Sequence, residues 1–123
     1  MVYFEIQADD LGRAANFYTS VFGWKLTRAE QTLVEYWRIE TGDGGRGGIL
    51  RRPAPAPPPG TGTNAYVRSF EIPDFDVVAD LIAKHGGRTA LPKFAVPSVC
   101  WQGYFLDTEG NTFGVFEPDA SAS

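Results

Sequence analysis

The sequence contains an internal repeat with an offset of 64 residues, the spacing between Asp10 and Asp74, and this repeat restricts the possible folds most strongly. Apolar residues follow the spacing of one helical face from Leu11 onward, and the same spacing returns from Phe75 onward. The aspartate before each run is typical of a helix N-cap. The repeat is longer than the period of a solenoid, so it indicates the duplication of one β-α-β-β-β unit.

Proline-rich sequence separates the two copies and sets their boundaries. Prolines at this density favour an extended polyproline II spacer, although a ligand for an SH3-type domain is an alternative. A chain of 123 residues that is 43% hydrophobic is long enough for one compact domain but too short for two ordinary ones. We therefore predict a single domain, 1–123, made of module one (1–52), a linker (53–63), module two (64–118) and a small, polar tail (119–123) that we expect to fray.

Each module is predicted to begin with a strand and to continue with one helix and three strands. In module one the pattern predicts a helix that begins at Leu11 and is ended by Gly23, since glycine is a frequent helix stop. The predicted strands of this module are Val2–Gln7, Trp24–Thr27, Thr32–Thr41 and Gly47–Arg51.

The stretch Asp107–Pro118 is predicted to be a tight turn followed by the closing strand of module two. Asp107, Gly110 and Asn111 are turn-forming residues. In the strand, the alternation of side chains predicts two faces. Phe113 and Val115 lie on the first face, and the second face carries Thr112, Gly114 and Phe116.

Composition and charge exclude several classes of partner. The formal net charge of −4 and the pI near 4.9 give no basic surface for nucleic acid or anionic membranes. No apolar run approaches the roughly 18 residues of a membrane span, and the first residues do not resemble a signal peptide. Cys100 is the only cysteine, so it has no intramolecular disulfide partner. We therefore expect a cytoplasmic protein that handles small molecules and binds neither nucleic acid nor membranes.

Two motifs carry a resemblance to a known family that covers nearly the whole chain. The first is D-x-x-R-A-x-x-F-Y-x-x-V-F-G-W, from Asp10 to Trp24, and the second is D-x-x-G-N-x-F-G, from Asp107 to Gly114. Together with the repeat they resemble the vicinal oxygen chelate superfamily, which includes glyoxalase I, extradiol dioxygenases and bleomycin- and fosfomycin-resistance proteins. The resemblance implies an α+β fold in which two β-α-β-β-β modules form a curled, eight-stranded mixed sheet around a cleft, with the helices on its convex side.

The resemblance also implies where a metal would bind. Metal-dependent members use a His early in the first strand of each module and a Glu or similar ligand in each closing strand. The corresponding positions here are Tyr3, Gly48, Val67 and Gly114. Such sites need imidazole nitrogen or carboxylate oxygen, so we expect no metal and no other cofactor.

Strand alternation predicts the residues that face the cleft. Glycine at Gly48 and Gly114 removes side-chain volume, which would leave room for a ligand. Glu5 is the one carboxylate placed on this face and a candidate general base, although the favoured interpretation is a strand residue that is solvated or hydrogen-bonded to a backbone amide. The predicted cleft residues are Tyr3, Glu5, Gly48, Leu50, Val67, Ser69, Gly114 and Phe116.

Four other features have plain structural interpretations. His85 is expected to cap the second helix, and Cys100 to be an inert, half-buried thiol. Trp37 and Trp101 occupy equivalent positions, which favours symmetric packing or a dimer contact over ligand stacking. The pair Arg51-Arg52 is expected to be solvated at a strand end, although it could grip an anionic substrate.

These features support three functional hypotheses. The first is a metal-independent small-molecule binding protein that resembles bleomycin-resistance proteins and holds an apolar or aromatic ligand. The second is a glyoxalase-like lyase or isomerase, or a dioxygenase-type enzyme, either metal-free with Glu5 or Tyr3 as acid or base, or with a metal bound at positions other than the four named above. Fold alone does not decide whether the chain is an enzyme. The third is a regulatory or structural module with a filled cleft. We expect a homodimer in each case, because pairing protects the edges of sheets.

Overall fold

A computed structural model describes residues 3–30, 34–55, 58 and 67–123 of the chain. The chain divides into two compact units, Met1–Tyr66 and Val67–Ser123. From here on, module one and module two denote the described residues of the first and the second unit. Neither of the described helices is long and apolar enough to cross a membrane. The elements of module one are β1 (Phe4–Ala8), α1 (Leu11–Phe22), β2 (Lys25–Arg28), β3 (Tyr36–Glu40) and β4 (Arg46–Arg51). Those of module two are β5 (Ser69–Glu71), α2 (Phe75–Lys84), β6 (Arg88–Val96), β7 (Cys100–Leu106) and β8 (Thr112–Pro118).

The two modules have the same sheet topology. In module one the strand order is β1-β4-β3-β2, with β1 parallel to β4 and the other pairs antiparallel. In module two the order is β5-β8-β7-β6, with β5 parallel to β8. The predicted α+β fold of two β-α-β-β-β modules is therefore confirmed. The single eight-stranded sheet is wrong for the described residues, because each module completes its own ladder of four strands.

Parts of three predicted segments lie outside the described residues. They are the start of the strand predicted at Val2–Gln7, residues 32–33 of the strand Thr32–Thr41, and most of the linker 53–63. Within the described residues the third strand begins at Tyr36.

The repeated aspartates cap their helices as the sequence predicts. Asp10 accepts a hydrogen bond from the backbone N–H of Arg13 at 2.9 Å, and Asp74 accepts one from Val77 at 3.2 Å. Each bond satisfies one of the backbone donors that a helix leaves without an internal partner. The first helix ends at Gly23, whose φ of 71° is the left-handed conformation that glycine adopts without steric cost.

The second helix ends slightly before the repeat would place its stop. It closes at Lys84 with His85 as its C-cap, and Gly86 has a φ of 96°. Gly87, the residue equivalent to the stop of the first helix, has a packing role instead. A Cβ there would lie 2.5 Å from the Cγ2 atom of Ile82, so only glycine allows the chain to leave the helix this closely.

Each helix packs on one face of its own sheet, and the apolar core of each module lies between that helix and that sheet. In module one every second residue of β1 is buried, beginning with Phe4. Tyr18 and Trp24 stack at 5.1 Å between ring centroids and extend this core. The largest fully buried side chains are Leu11, Phe17, Tyr18, Ile39, Ile49, Ile82 and Val115. Among the described residues, no helix of the same module lies on the opposite face of its sheet, and we call this face the helix-free face.

The predicted turn before β8 is organised by one buried carboxylate. Asp107 accepts backbone hydrogen bonds from Glu109 at 2.8 Å and Asn111 at 2.9 Å, and Gly110 has a φ of 79°. These bonds fix the turn and its exit into the closing strand. In β8 the predicted alternation holds, with Phe113 and Val115 in the core and Gly114 on the helix-free face.

The prediction that the tail frays is wrong. Ala122 is only 2% exposed, and its carbonyl accepts the backbone N–H of Ser98 at 2.9 Å. Asp119 accepts the indole N–H of Trp101 at 3.0 Å. Hydrogen bonds from the hydroxyl and backbone of Ser121, and then from Trp101, hold the pKa of Asp119 below its ordinary value. The tail therefore belongs to the packed structure of module two.

Candidate functional site

The helix-free face of module one brings together polar groups from three adjacent strands. Strand register places Glu5 opposite Gly48, and Gly48 opposite Arg38. One row further along the sheet, Leu50 lies opposite Tyr36. Since residues that pair across strands lie on the same face, these side chains share one surface.

Tyr3, Tyr36 and Glu5 form a continuous chain of hydrogen bonds on this surface. The hydroxyl oxygens of Tyr3 and Tyr36 are 2.6 Å apart, and the Tyr36 hydroxyl donates to Glu5 Oε2 at 2.7 Å. A phenol has one proton to donate, and that of Tyr36 goes to the carboxylate. The Tyr3 hydroxyl must therefore be the donor in its bond to Tyr36, so the chain runs from Tyr3 through Tyr36 to Glu5.

Gly48 is the reason that Tyr36 reaches this position. A Cβ at Gly48 would overlap the hydroxyl and ring of Tyr36. The missing side chain therefore makes room, but Tyr36 of the same module takes that room. The expectation that this glycine leaves open space for a ligand is wrong in this respect, because the phenol covers Gly48 and leaves it buried.

The environment of Tyr36 keeps its hydroxyl protonated. Burial raises the pKa of Tyr36 above its ordinary value, and the hydrogen bonds to Tyr3 and Glu5 raise it further. The phenolate would lose water and would face a carboxylate at hydrogen-bond distance. Tyr36 therefore acts as a neutral donor that orients Glu5 and accepts from Tyr3.

This shift gives a prediction for stability at high pH. Above about pH 10 the unfolded chain releases the Tyr36 proton while the folded chain keeps it. The folded state then binds more protons, so the free energy of unfolding should fall as pH rises beyond this point, and this fall should be smaller in Tyr36→Phe. Urea denaturation of both proteins at pH 9 and pH 11 measures the difference.

Phenolate absorbance at 295 nm gives an independent control. In urea at pH 11, wild type should show one more ionised tyrosine than Tyr36→Phe, because both chains are unfolded. In native buffer at the same pH the two proteins should show the same number, since the Tyr36 proton is retained. A native wild type with one extra phenolate would contradict the assignment.

Module two has a different helix-free face, which is more apolar. Gly114 pairs with Ser69 on one side and Tyr104 on the other. The Gln102 side chain donates to Ser69 Oγ at 3.4 Å, and the space that a Cβ would take at Gly114 is filled by these neighbours. Phe94 stacks on Tyr104 at 6.3 Å between ring centroids.

The structure places the eight predicted cleft residues in two groups. Glu5, Gly48 and Leu50 share the helix-free face of module one, with Tyr3 joined to it through Tyr36. In module two, register places Ser69, Gly114 and Phe116 on the helix-free face, and Val67 precedes β5 as an exposed residue. That the two faces line one cleft stays a prediction.

Two contributors to these surfaces were missed by the sequence analysis. Tyr36 covers Gly48 and links Tyr3 to Glu5. Gln102 lies over Gly114 and donates to one predicted residue, Ser69. A signal for Tyr36 was present, because pairing the third strand with the Gly-Gly strand puts every second residue of both on one face. That signal needs the register, which the sequence alone does not fix.

The remaining candidates have structural roles within their own modules. His85 lies at the end of α2 as predicted, and Cys100 is buried at the start of β7. The indole N–H of Trp37 donates to Glu35 at 3.3 Å, and that of Trp101 donates to Asp119 in the tail. The lysine of β6, Lys93, lies 4.8 Å from the Trp101 ring centroid, a cation–π contact.

The arginine pair is held by contacts within module one. Arg51 donates to the carbonyl of Asp9 at 2.8 Å and lies 3.6 Å from a carboxylate oxygen of Glu35. The Nε atom of Arg52 lies 3.2 Å from Asp9 Oδ1. Both guanidinium groups thus contact the segment between β1 and α1. Arg51 is solvated as expected, whereas the expectation is wrong for Arg52, whose side chain is only 11% exposed.

The residues at the family's metal positions do not fit a metal ion. Gly48 and Gly114 offer no donor, and the volume beside each is filled by other side chains. Val67 offers none either, and Tyr3 is a phenol that donates its proton to a neighbour. In the part of the chain that the structure describes, no group of three or more His, Cys, Asp or Glu side chains comes together that could hold a metal.

The fold and this surface together define a class of protein: a duplicated β-α-β-β-β protein with polar and aromatic residues on its helix-free faces. A family model described as the Glyoxalase/Bleomycin resistance protein/Dioxygenase superfamily matches residues 1–115. The chain therefore belongs to this superfamily, and the resemblance to the vicinal oxygen chelate fold is confirmed.

Individual relatives agree with this assignment. A glyoxylase-like domain-containing protein of Didymella fabae is 28% identical over 117 residues, which cover 90% of this chain and 88% of the relative. A glyoxalase family protein from Bacillus cereus has a TM-score of 0.79 at 20% identity, covering 96% of this chain and 93% of that one. These similarities extend over nearly the whole chain, and the second one shows the fold alone.

A metal-bound resistance protein has the same fold. It is a mutant of the fosfomycin resistance protein FosX from Listeria monocytogenes, complexed with Mn(II) and 1S,2S-dihydroxypropylphosphonic acid. Its TM-score is 0.77 at 13% identity, with 97% of this chain and 92% of that chain covered. At this identity the likeness concerns the fold and carries no ligand over to this chain.

Proposed function

We propose that the chain is a metal-independent small-molecule binding protein that holds an apolar or aromatic ligand against its helix-free faces. The observation that carries the proposal is the replacement of a metal-ligand position by a phenol: Tyr36 lies over Gly48 and is hydrogen-bonded to Glu5. This arrangement is a fixed polar anchor that needs no metal ion.

Apolar groups on the helix-free face of each module support the same proposal. Leu50 lies next to Tyr36 on module one, and Phe94, Tyr104 and Phe116 contribute apolar surface on module two. Binding sites for small molecules typically combine such surfaces with a few well-placed polar groups. The proposal includes a location in the cytoplasm and a homodimer. The homodimer is expected because the outer strands of each sheet are edges that pairing would protect.

A second candidate is a metal-free enzyme of glyoxalase type, a lyase, isomerase or related activity. The contact between Tyr36 and Glu5 favours it, because a carboxylate beside a protonated phenol is an arrangement that can move a proton to or from a substrate. In this case Glu5 or Tyr3 would act as the acid or base.

A thermal-shift screen tests the proposal. The protein is screened against apolar and aromatic metabolites and antibiotics, once with EDTA and once each with Zn²⁺, Ni²⁺ and Mn²⁺. A ligand present at 100 times its Kd should add about 2.7 kcal/mol to the free energy of unfolding, a rise of about 10 °C in Tm. We expect this rise with EDTA present, because no metal is needed.

Two matched variants locate the binding. Glu5→Gln removes the charge that orients the phenols and should reduce the shift, whereas Glu40→Gln removes a carboxylate at the other end of the same face and should leave it unchanged. Stoichiometric metal uptake together with ligand binding only in its presence would overturn the proposal. Conversion of a hit into product, followed by chromatography, would favour the enzyme.

A further inference from the structure

The direction of the hydrogen bonds determines what the anchor presents to a ligand. Tyr3 donates its proton to Tyr36, and Tyr36 donates its proton to Glu5 Oε2. Neither phenol therefore has a proton left for a ligand. The three hydrogen-bonded residues therefore offer a ligand only acceptors: the lone pairs of the Tyr3 oxygen and the second carboxylate oxygen of Glu5.

Both ends of this chain are accessible to a ligand. Tyr3 is 50% exposed, and Glu5 is exposed on the helix-free face. The Glu5 carboxylate carries a negative charge, and its hydrogen-bond partner Tyr36 is a neutral phenol, so the pair as a whole is negatively charged. The anchor is therefore a set of hydrogen-bond acceptors with a net negative charge.

From this geometry we propose that the anchor binds a protonated amine carried on an apolar or aromatic body. The inference deepens the proposed function and rests on it. An ammonium group has three N–H donors and no acceptor, so it complements the Tyr3 oxygen and the Glu5 carboxylate. The rings of Tyr3 and Tyr36 and the side chain of Leu50 provide the surface against which the body of such a ligand packs.

An anionic ligand does not match this end of the face. A carboxylate or phosphate has no donor for the acceptors and is repelled by Glu5. Arg38 is the cation across Gly48, two strands away from Glu5. The salt bridges among the described residues do not join these two side chains, and Glu5 instead accepts the hydrogen bond of Tyr36.

The test compares three probes with the same aromatic body and different polar ends: phenethylamine, phenethyl alcohol and hydrocinnamate. Their affinities for the whole protein are measured by NMR titration at pH 7, where the amine is protonated. We expect the amine to bind at least about tenfold more tightly than the carboxylate, with the alcohol between them. The alcohol lacks the charge-assisted hydrogen bonds of the amine, and the carboxylate is in addition repelled by Glu5.

Variants assign the preference to the anchor. Glu5→Gln should weaken the amine about tenfold and reduce its advantage over the carboxylate, and Tyr3→Phe should weaken it several-fold. Arg38→Gln removes a charge from the same face and should leave amine binding unchanged. Each variant is first checked for the same dispersion of amide chemical shifts as wild type and for cooperative thermal unfolding.

The outcomes separate this inference from the proposed function. Tighter binding of the carboxylate, an amine affinity unaffected by Glu5→Gln, or screen hits that lack a protonated amine would overturn the inference alone. Failure of all three probes together with a screen that finds no ligand would overturn the proposed function as well.

Discussion

Gly47→Ala is expected to destabilise module one strongly, by about 3 kcal/mol. A Cβ at this position would lie 2.5 Å from the carbonyl oxygen of Phe4 and 2.9 Å from Cε1 of its ring. Gly47 pairs with Phe4 in the parallel ladder of β1 and β4, so the carbonyl oxygen moves only if this ladder is disturbed. Forcing extra volume into such a packed site typically costs about 1–3 kcal/mol. Urea denaturation measures the change.

Gly48→Ala is the matched control, since it places the same methyl group one residue along the strand on the opposite face. The atoms nearest to its Cβ would be the hydroxyl and outer ring atoms of Tyr36, which lie at the end of a side chain that can rotate away. We expect a loss of less than about 1 kcal/mol. Displacing Tyr36 should nevertheless break the link to Glu5 and reduce ligand binding.

The two substitutions thus separate the function of the face from the stability of the core. Urea unfolding should show a large stability loss in Gly47→Ala and a small one in Gly48→Ala. The thermal shift caused by a ligand should be reduced in Gly48→Ala. Equal stability losses in the two variants, or full ligand binding by Gly48→Ala, would contradict the roles assigned to the faces of β4.

The elements of the fold could be predicted from the sequence because local signals agree with the repeat. Asp10 and Asp74 are both N-caps in the structure, and Gly23 ends the first helix in the left-handed conformation. In β8 the alternation of apolar residues correctly identifies the face on which Gly114 lies. Each of these signals depends on residues close in sequence, whose geometry is set by the local backbone.

The errors concern contacts between residues distant in sequence. Whether eight strands join into one sheet depends on which edges pair, and alternation within a strand carries no information on this. The space beside Gly48 depends on the reach of Tyr36 from another strand. The order of the tail depends on Ala122 meeting the turn at Ser98.

The sequence analysis predicted that Glu5 and Gly48 share a face, but it did not predict the chemistry of that face. Glu5 and Gly48 do lie opposite each other. The role of Glu5, however, is set by Tyr36, which the sequence analysis did not single out. A directed hydrogen-bond chain requires atoms placed within a few tenths of an ångström, and only the tertiary structure supplies that placement.

Asp107→Ala is the second substitution with a large expected effect, a loss of about 3 kcal/mol in the free energy of unfolding. Asp107 is 5% exposed, and its carboxylate accepts the backbone N–H groups of Glu109 and Asn111 and the Asn111 side-chain amide at 3.1 Å. Alanine would leave these donors without their acceptor in a turn where water has little access, and each such loss costs about 1–3 kcal/mol. Urea denaturation measures the total.

Asp43→Ala is the control for Asp107→Ala, because Asp43 has the same role in an exposed turn. Its carboxylate accepts the backbone N–H of Gly45 at 3.1 Å and the hydroxyl of Thr41. Water can replace an acceptor at an exposed site, so the stability of Asp43→Ala should stay near that of wild type. Comparable losses in the two variants would mean that the turn sequence, rather than burial of the carboxylate, determines the stability of the strand β8 that carries Gly114.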